Sequence, residues 1–309
     1  MPEYLVLFLM VAVFAAMAMG CKLPIGISLV ISAVAGALFG GHGVPVRHLI
    51  EGSFGYFDTI LIIVTAMIFM RVLQVSGILD TITSLLLRTF YKRKFSLLMT
   101  VIVIIMFPGM ITGSSTVAVL STGTLIAPVL IKLGLPKVKT AALIAMGAIL
   151  GMIAPPVNIL VMIMGGGVDM PYVGLTIPLL IIVIPLAILI SLWLGYKDIQ
   201  IIDQARMQEI LPEPLEKKIG LRLYLPLLIV FVLMLTQSLS LPLIPDIGIP
   251  AIFLVGSLAG MFSGRRFNFF TATQEALQAA MPILCILAGV GMFIQIMTLT
   301  GGRGWTVLS

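Results

Sequence analysis

The chain has 309 residues, of which 60% are hydrophobic and 10% charged, and its formal net charge at pH 7 is +6. Because soluble domains carry about 25% charged residues, this composition excludes a water-soluble fold and predicts an all-α integral membrane protein. The basic residues lie between apolar stretches and not along one face, so they indicate topology signals and no nucleic-acid partner.

Nine apolar stretches follow one another, and most approach the length of about 20 residues that a helix needs to cross the hydrocarbon. They lie at residues 4–20, 23–40, 57–75, 95–131, 140–167, 172–195, 223–238, 248–264 and 278–298. No Lys or Arg precedes the first stretch. We therefore interpret it as a retained span and not as a cleaved signal peptide.

The basic residues predict the orientation of these spans. If the N-terminus lies outside and the spans alternate, 15 of the 18 basic residues fall on the inner side, as the positive-inside rule requires. These residues are Lys22, Arg88, Lys92, Arg93, Lys94, Lys132, Lys137, Lys139, Lys197, Arg206, Lys217, Lys218, Arg222, Arg265 and Arg266.

Segment 95–131 has basic clusters on both flanks, and both must be inside, so the segment must cross an even number of times. Two full spans and a turn are expected to need more than its 37 residues. The sequence therefore predicts a re-entrant hairpin of two short helices. Five residues in its middle cannot continue a good helix and predict the position of its tip: Pro108, Gly109, Gly113, Ser114 and Ser115.

The hairpin tip is the first candidate site, formed by Thr112, Gly113, Ser114, Ser115 and Thr116. Backbone amides at the start of the returning helix favour an anion such as a carboxylate. Carbonyls at the end of the entering helix, together with the hydroxyls, suit sodium, a hard cation that prefers oxygen. The alternative is that these small polar residues only allow close helix packing in lipid.

A second candidate site lies within the stretch 140–167. Pro155 and Pro156 are adjacent in the middle of this apolar stretch and predict a broken transmembrane helix. The break frees backbone carbonyls beside Ala154, and Asn158 adds a side-chain amide. A broken helix that faces the hairpin tip would form a cradle for an ion and a substrate. The alternative is a simple proline kink.

An internal repeat becomes visible when the sequence is shifted by 224 residues. Gly36 then falls on Gly260, Gly40 on Gly264, Glu51 on Glu275, Phe69 on Phe293, Ser76 on Thr300 and Gly77 on Gly301. With the predicted orientation the two copies have opposite directions, which is the inverted-repeat plan of secondary transporters.

The repeat predicts a division of the chain. Residues 1–195 form a first repeat unit, 196–222 a cytoplasmic linker, and 223–309 the start of a second, inverted unit. The second copy stops before its own hairpin, so we expect a chain truncated at its C-terminus. The alternative is a complete, asymmetric protein.

The remaining polar residues suggest neither an enzyme nor a cofactor. His42 and His48 fall outside the spans without converging metal ligands, and no nucleotide-binding G-x-x-x-x-G-K-[ST] motif is present. Asp58 and Asp80 fall near predicted span ends, as do Asp169 and Asp246, which favours sodium over a proton relay. Arg71 is expected to extend its side chain to the inner surface, with substrate binding as the alternative.

Three segments carry a resemblance to a known family: "GCKLPIGISLVISAVAG", "PGMITGSSTVAVLSTGTLIAPVLIKLGLPK" and "ALIAMGAILGMIAPPVNILVMIMGG". Together they resemble the large membrane (permease) subunit of TRAP transporters, within the ion transporter superfamily. The resemblance implies sodium-driven import of C4-dicarboxylates or sugar acids across a bacterial or archaeal inner membrane. It also implies two partners, a small four-helix membrane subunit and a periplasmic substrate-binding protein.

By motif match, the resemblance implies substrate and ion binding at Gly113, Ser114, Ser115 and Thr116 and at Ala154, Pro155, Pro156 and Asn158. The implied sodium ligands are Gly113, Ser114, Ser115 and Asn158. Two alternatives stay open: a stand-alone carboxylate or ion symporter of the same superfamily, and a membrane assembly protein that transports nothing.

Overall fold

A computed structural model describes residues 2–168, 172–201, 220–238 and 247–304. These residues form helices and turns, and none of them lies in a β-strand. The helices of the first half are α1 (Glu3–Ala15), α2 (Ile25–Phe39), α3 (Val46–Phe54), α4 (Phe57–Val75), α5 (Ile78–Phe90), α6 (Lys94–Thr112), α7 (Ser115–Ala118) and α8 (Thr124–Lys132). The second half contributes α9 (Lys137–Ile153), α10 (Ile159–Val168), α11 (Thr176–Gly195), α12 (Leu225–Ser238), α13 (Gly248–Ser263) and α14 (Phe269–Leu299).

Short non-α turns extend several of these helices. A π-helical turn, Ala16–Gly20, lengthens α1, and another, Val119–Gly123, joins α7 to α8. Within the described residues, seven helical segments are long and apolar enough to cross a membrane, and α2 and α13 are shorter apolar helices. The predicted all-α, multi-span membrane fold is therefore confirmed.

Several helices differ from the sequence prediction, among them α3, which lies between two predicted stretches. Helix α5 was not predicted, because Asp80, Ser84 and Arg88 interrupt its hydropathy, although its apolar residues recur with helical spacing. Helix α14 begins at Phe269, before the apolar stretch predicted at 278–298, because its first turns are polar but still helical. Most of the predicted linker, residues 202–219, lies outside the described residues. Asp169 and Asp246 lie outside them as well.

The predicted hairpin is present, with a tighter turn than expected, because Pro108 and Gly109, which were predicted at its tip, lie inside α6. Helix α6 ends at Thr112, Gly113 adopts a left-handed conformation with φ 63°, and the returning helical segment runs over Ser115–Lys132. Since the turn takes only two residues, the arms have 19 and 18 residues. Each arm is long enough to span a membrane, so the premise that the segment is too short for two spans was wrong. Re-entry itself stays a prediction.

The predicted broken helix is confirmed. Helix α9 ends at Ile153, Ala154 has an extended backbone, and the Pro155–Pro156 peptide bond is cis. Helix α10 then begins at Ile159. Both prolines lie within the break, where the missing N–H groups cost no helical hydrogen bonds.

The described residues form two compact units, one of residues 2–61, 162–168 and 279–304, and the other of residues 62–161, 172–201, 220–238 and 247–278. In the first, Met10 packs with Ala33, Ala37 and Ile296. In the second, the core lies around α6 and α9. The units follow spatial contact and not chain order, and the division predicted from the repeat stays a prediction.

Helix bounds and contacts agree with the 224-residue shift. Residues 25–39 of α2 fall on 249–263 of α13, and the last residues of α4 and α14, 75 and 299, also coincide. Gly77 and Gly301, which follow those ends, are both left-handed, with φ 75° and 81°. These agreements support the predicted repeat, and its inverted sense stays a prediction.

The repeat is also visible in two exchanged contacts. In the first unit, a Cβ built on Gly40 would lie 2.9 Å from Thr300 Cγ2. In the second unit, a Cβ built on Gly264 would lie 2.5 Å from Ser76 Cβ. The shift converts each of these residue pairs into the other.

Candidate functional site

The hairpin tip is held by short-range hydrogen bonds. The Thr112 hydroxyl donates to the carbonyl of Pro108 at 2.7 Å and accepts from the Ser114 N–H at 3.3 Å. The Ser114 side chain caps the returning helix, since its Oγ accepts from the Val117 N–H at 3.5 Å. The tip therefore keeps its hydroxyl oxygens at the junction of two helix ends.

The conformation of the tip requires glycine at position 113. Its φ of 63° lies in the left-handed region, which disfavours every residue with a Cβ. A Cβ built there would also lie 2.6 Å from Ile159 Cγ1 and 3.2 Å from the Val157 carbonyl oxygen. The left-handed backbone and the close contact with Ile159 thus both favour glycine at position 113.

Asn158 bridges the break between α9 and α10. Its Nδ2 donates to the carbonyl of Ile153, the last residue of α9, at 2.6 Å. Its Oδ1 accepts from the Val161 N–H in the first turn of α10 at 3.1 Å. The side chain is 5% exposed. One buried amide thus terminates one half-helix and caps the next, and Oδ1 retains a second lone pair.

The two breaks meet within the second unit. The Val157 N–H donates to the carbonyl of Met110 at 3.1 Å, a direct backbone link between the broken helix and the end of α6. One residue before Met110, a Cβ on Gly109 would lie 2.9 Å from the carbonyl carbon of Gly151 in α9. Only glycines permit so close an approach of two backbones. We call residues 112–116 and 154–158 the double break.

The predicted site residues occupy different depths in the double break. Thr112, Gly113, Ser114, Ala154, Pro155 and Asn158 are buried, Ser115 and Pro156 are partly exposed, and Thr116 is exposed. The structure thus brings the two predicted clusters together, with Thr116 at the edge.

Sequence reasoning missed the residues that join the clusters. Met110 and Val157 act through backbone atoms, which leave no signal in residue type. Gly109 and Gly151 were available as a signal, since both lie within otherwise helical segments.

The double break is electrically neutral apart from its helix ends. No charged residue occurs in 95–131 or in 140–168. Helices α6 and α9 present their C-terminal, partially negative ends, while the segments that begin at Ser115 and Ile159 present partially positive N-terminal ends. Oxygen atoms and opposed helix ends can serve a small cation and a carboxylate side by side.

Two charged residues elsewhere in the second unit, Arg71 and Asp80, have charged neighbours. The Arg71 guanidinium donates to Glu275 Oε2 from Nε at 2.8 Å and to Gln74 Oε1 at 3.1 Å. Arg71 therefore forms an ion pair, beyond the simple extension to the surface that was expected. Burial raises the pKa of Asp80, and the nearby Arg265 partly opposes this shift.

Comparison with known proteins gives one family. The model of the family described as "Tripartite ATP-independent periplasmic transporter, DctM component" matches residues 9–305. The match includes both arms of the hairpin and the broken helix. No curated protein matches the chain significantly.

Proposed function

Because the chain belongs to the DctM family, the large permease component of TRAP transporters, we propose that it imports small organic anions together with sodium. The substrate class is C4-dicarboxylates or sugar acids. Membership makes the chain a multi-pass component of a transporter. The ion, the substrate and the partners belong to the proposal.

The observation that carries the proposal is the meeting of two helix breaks in an uncharged region. Sodium needs several oxygen ligands, and broken helices supply carbonyls and hydroxyls at one point. The Ser114 hydroxyl and Asn158 Oδ1 each retain hydrogen-bonding capacity beyond their capping bonds. We assign sodium to Gly113, Ser114, Ser115 and Asn158, through backbone carbonyls at the glycine and side-chain oxygens elsewhere.

The substrate carboxylate would bind beside the ion. The N–H groups of Ser115 and Thr116 open the returning helical segment, and α10 opens at Ile159. Helix N-termini attract anions through unpaired N–H groups and the helix dipole. A sodium ion at the same junction would add a full positive charge, so each ligand would favour the binding of the other.

The proposed partners follow from the family. A periplasmic substrate-binding protein would deliver the anion, and a small four-helix subunit would complete the complex in a bacterial or archaeal inner membrane, with the N-terminus of this chain outside. The nearest alternative is a stand-alone carboxylate symporter, which would need no binding protein. A membrane assembly protein would need no site at the double break.

Uptake into proteoliposomes tests the proposal. The chain is reconstituted together with the proposed small four-helix subunit. Radiolabelled dicarboxylates and sugar acids are then offered with and without a sodium gradient, and with and without the binding protein. We expect uptake only when both are present. Uptake without binding protein would favour the stand-alone symporter, and uptake with neither would overturn the proposal.

A matched pair of variants locates the ion. Loss of a hydroxyl that contacts a charged ligand costs about 1.5–3 kcal/mol. Ser114→Ala should therefore raise the sodium concentration for half-maximal uptake by at least about tenfold. Thr124→Ala is the control, since its hydroxyl lies on the same arm and donates to Leu120 and Ser121 carbonyls. Equal effects of both variants would remove Ser114 from the site.

A further inference from the structure

The far end of the hairpin helices, opposite the double break, gathers three segments of the second unit. Helices α6 and α9 pack in parallel, since Gly147 contacts Ile105 and Gly151 contacts Met106. Both pairs are about 42–45 residues apart, so the start of α6 lies level with the start of α9. The turn before α6 and the turn before α9 therefore share one end.

The third segment is the end of α11 and the residues that follow it. A Cβ on Gly195 would overlap Leu98 Cδ2, one turn from the start of α6, so the two helices lie close together here. The Gln200 N–H donates to the carbonyl of Leu133 at 2.8 Å. Asp198 forms an ion pair with Lys139. Residues 91–94, 132–139 and 196–200 thus lie together at one end of this unit.

This end has a high density of positive charge. Its basic residues, which we call the basal collar, are Lys92, Arg93, Lys94, Lys132, Lys137, Lys139 and Lys197. Within these three segments the only carboxylate is Asp198, which is bound to Lys139. The other six collar cations make no ion pair with any residue that the structure describes.

Exposed apolar and aromatic side chains alternate with these cations. Phe95 follows Lys94 and is 51% exposed, while Val138, between two collar lysines, is 82% exposed. Trp193 and Tyr196, at the end of α11, are 82% and 53% exposed. Cations without an ion pair among the described residues thus lie beside exposed apolar side chains and rings. The headgroup region of a bilayer accepts both, since rings lie at the interface and Lys or Arg side chains reach the phosphates.

We propose that the basal collar binds the phosphodiester headgroups of anionic glycerophospholipids in the cytoplasmic leaflet. The collar supplies several cations within a few turns of one another, and the neighbouring rings hold the acyl side of the same lipid. The orientation predicted from the basic residues of the whole chain places every collar residue on the inner side. Such binding fixes the base of the hairpin at the depth of the phosphates, far from the double break.

Quenching of Trp193 by brominated lipids tests the proposal, because this ring lies beside the collar and is exposed. Trp305, the only other tryptophan, is first replaced by Phe. The protein is reconstituted in phosphatidylcholine with brominated phosphatidylglycerol or brominated phosphatidylcholine, and the relative binding constant of the two lipids is measured. Each basic residue near an anionic surface contributes about fivefold, so we expect a preference of at least about fivefold for the anionic lipid.

The collar variant Lys92→Gln, Arg93→Gln, Lys132→Gln, Lys137→Gln should lose this preference. The matched control, Lys22→Gln, Arg47→Gln, Arg265→Gln, Arg266→Gln, removes four positive charges outside the collar and should keep it. Salt at 0.5 M should weaken the preference of the unmutated protein for the anionic lipid. This measurement does not depend on whether a variant folds. A relative constant of one in the unmutated collar, or an equal loss in both variants, would overturn the proposal.

Discussion

Gly113→Ala is the substitution whose consequence the structure determines most closely. The left-handed conformation costs a residue with a Cβ about 1–2 kcal/mol. The added methyl would lie 2.6 Å from Ile159 Cγ1, and such overpacking costs about 1–3 kcal/mol more. A smaller stabilising term, about 0.4–1 kcal/mol, comes from the less flexible unfolded chain. The expected net loss is about 1–5 kcal/mol.

A second glycine separates strain from crowding. Gly43 has nearly the same backbone conformation, with φ 64°, but nothing lies within 4 Å of a Cβ built on it. Gly43→Ala should therefore cost only the conformational term. In detergent, the thermal unfolding midpoint should fall by about 2–4 °C for each kcal/mol lost, so Gly113→Ala should fall by several degrees more than Gly43→Ala.

Partial rescue completes this test. Ile159→Val removes the methyl group on Cγ1 that limits the movement of this side chain away from residue 113. The double variant should lose less than the sum of the two single losses, by about 0.5–1 kcal/mol. If Gly113→Ala is no worse than Gly43→Ala, or if the two losses at 113 and 159 simply add, the described packing of the hairpin tip is incorrect.

Three further predictions concern side chains whose partners are known. Asn158→Leu leaves the carbonyl of Ile153 without its donor and the Val161 N–H without its cap, and it should lower the free energy of unfolding in denaturant titrations by about 1–3 kcal/mol. Arg71→Glu should lower the unfolding midpoint, and adding Glu275→Arg should restore it. Since both side chains are partly exposed, the stability recovered by the second substitution is at most about 1 kcal/mol and should be smaller in high salt. Because burial raises the pKa of Asp80, its stabilisation is present at low pH and is lost as the pH rises through that pKa, so Asp80→Asn should flatten the fall in midpoint measured from about pH 4 to about pH 8.

The sequence predicts the broad features of this fold well, because lipid imposes strong patterns on it. Apolar length locates most spans, and the breaks at Gly113 and at Pro155 are visible as residues that cannot continue a helix. Helix α5 was not predicted because its polar residues lower the mean hydropathy of the segment, although one face of the helix is apolar. The arm length of the hairpin was underestimated because a glycine turn of two residues was not expected.

The candidate site was predictable as two clusters and not as one arrangement. Nothing in the residue types indicates that the N–H of Val157 binds the carbonyl of Met110, since any residue has these groups. The dual role of Asn158 was likewise hidden, because a capping amide and a ligand amide look the same in sequence. The glycines at 109 and 151 were the readable signal for the close approach of α6 and α9.

The exchanged contacts Gly40–Thr300 and Ser76–Gly264 have a consequence for the history of the chain. Were the two copies separate polypeptides, these would be one contact made twice, as in a homodimer whose subunits use the same patch on each other. A side chain added at that glycine in such an ancestor would have harmed both contacts at once. A fusion of the two copies would allow each contact to change alone, and serine already stands in one copy where threonine stands in the other.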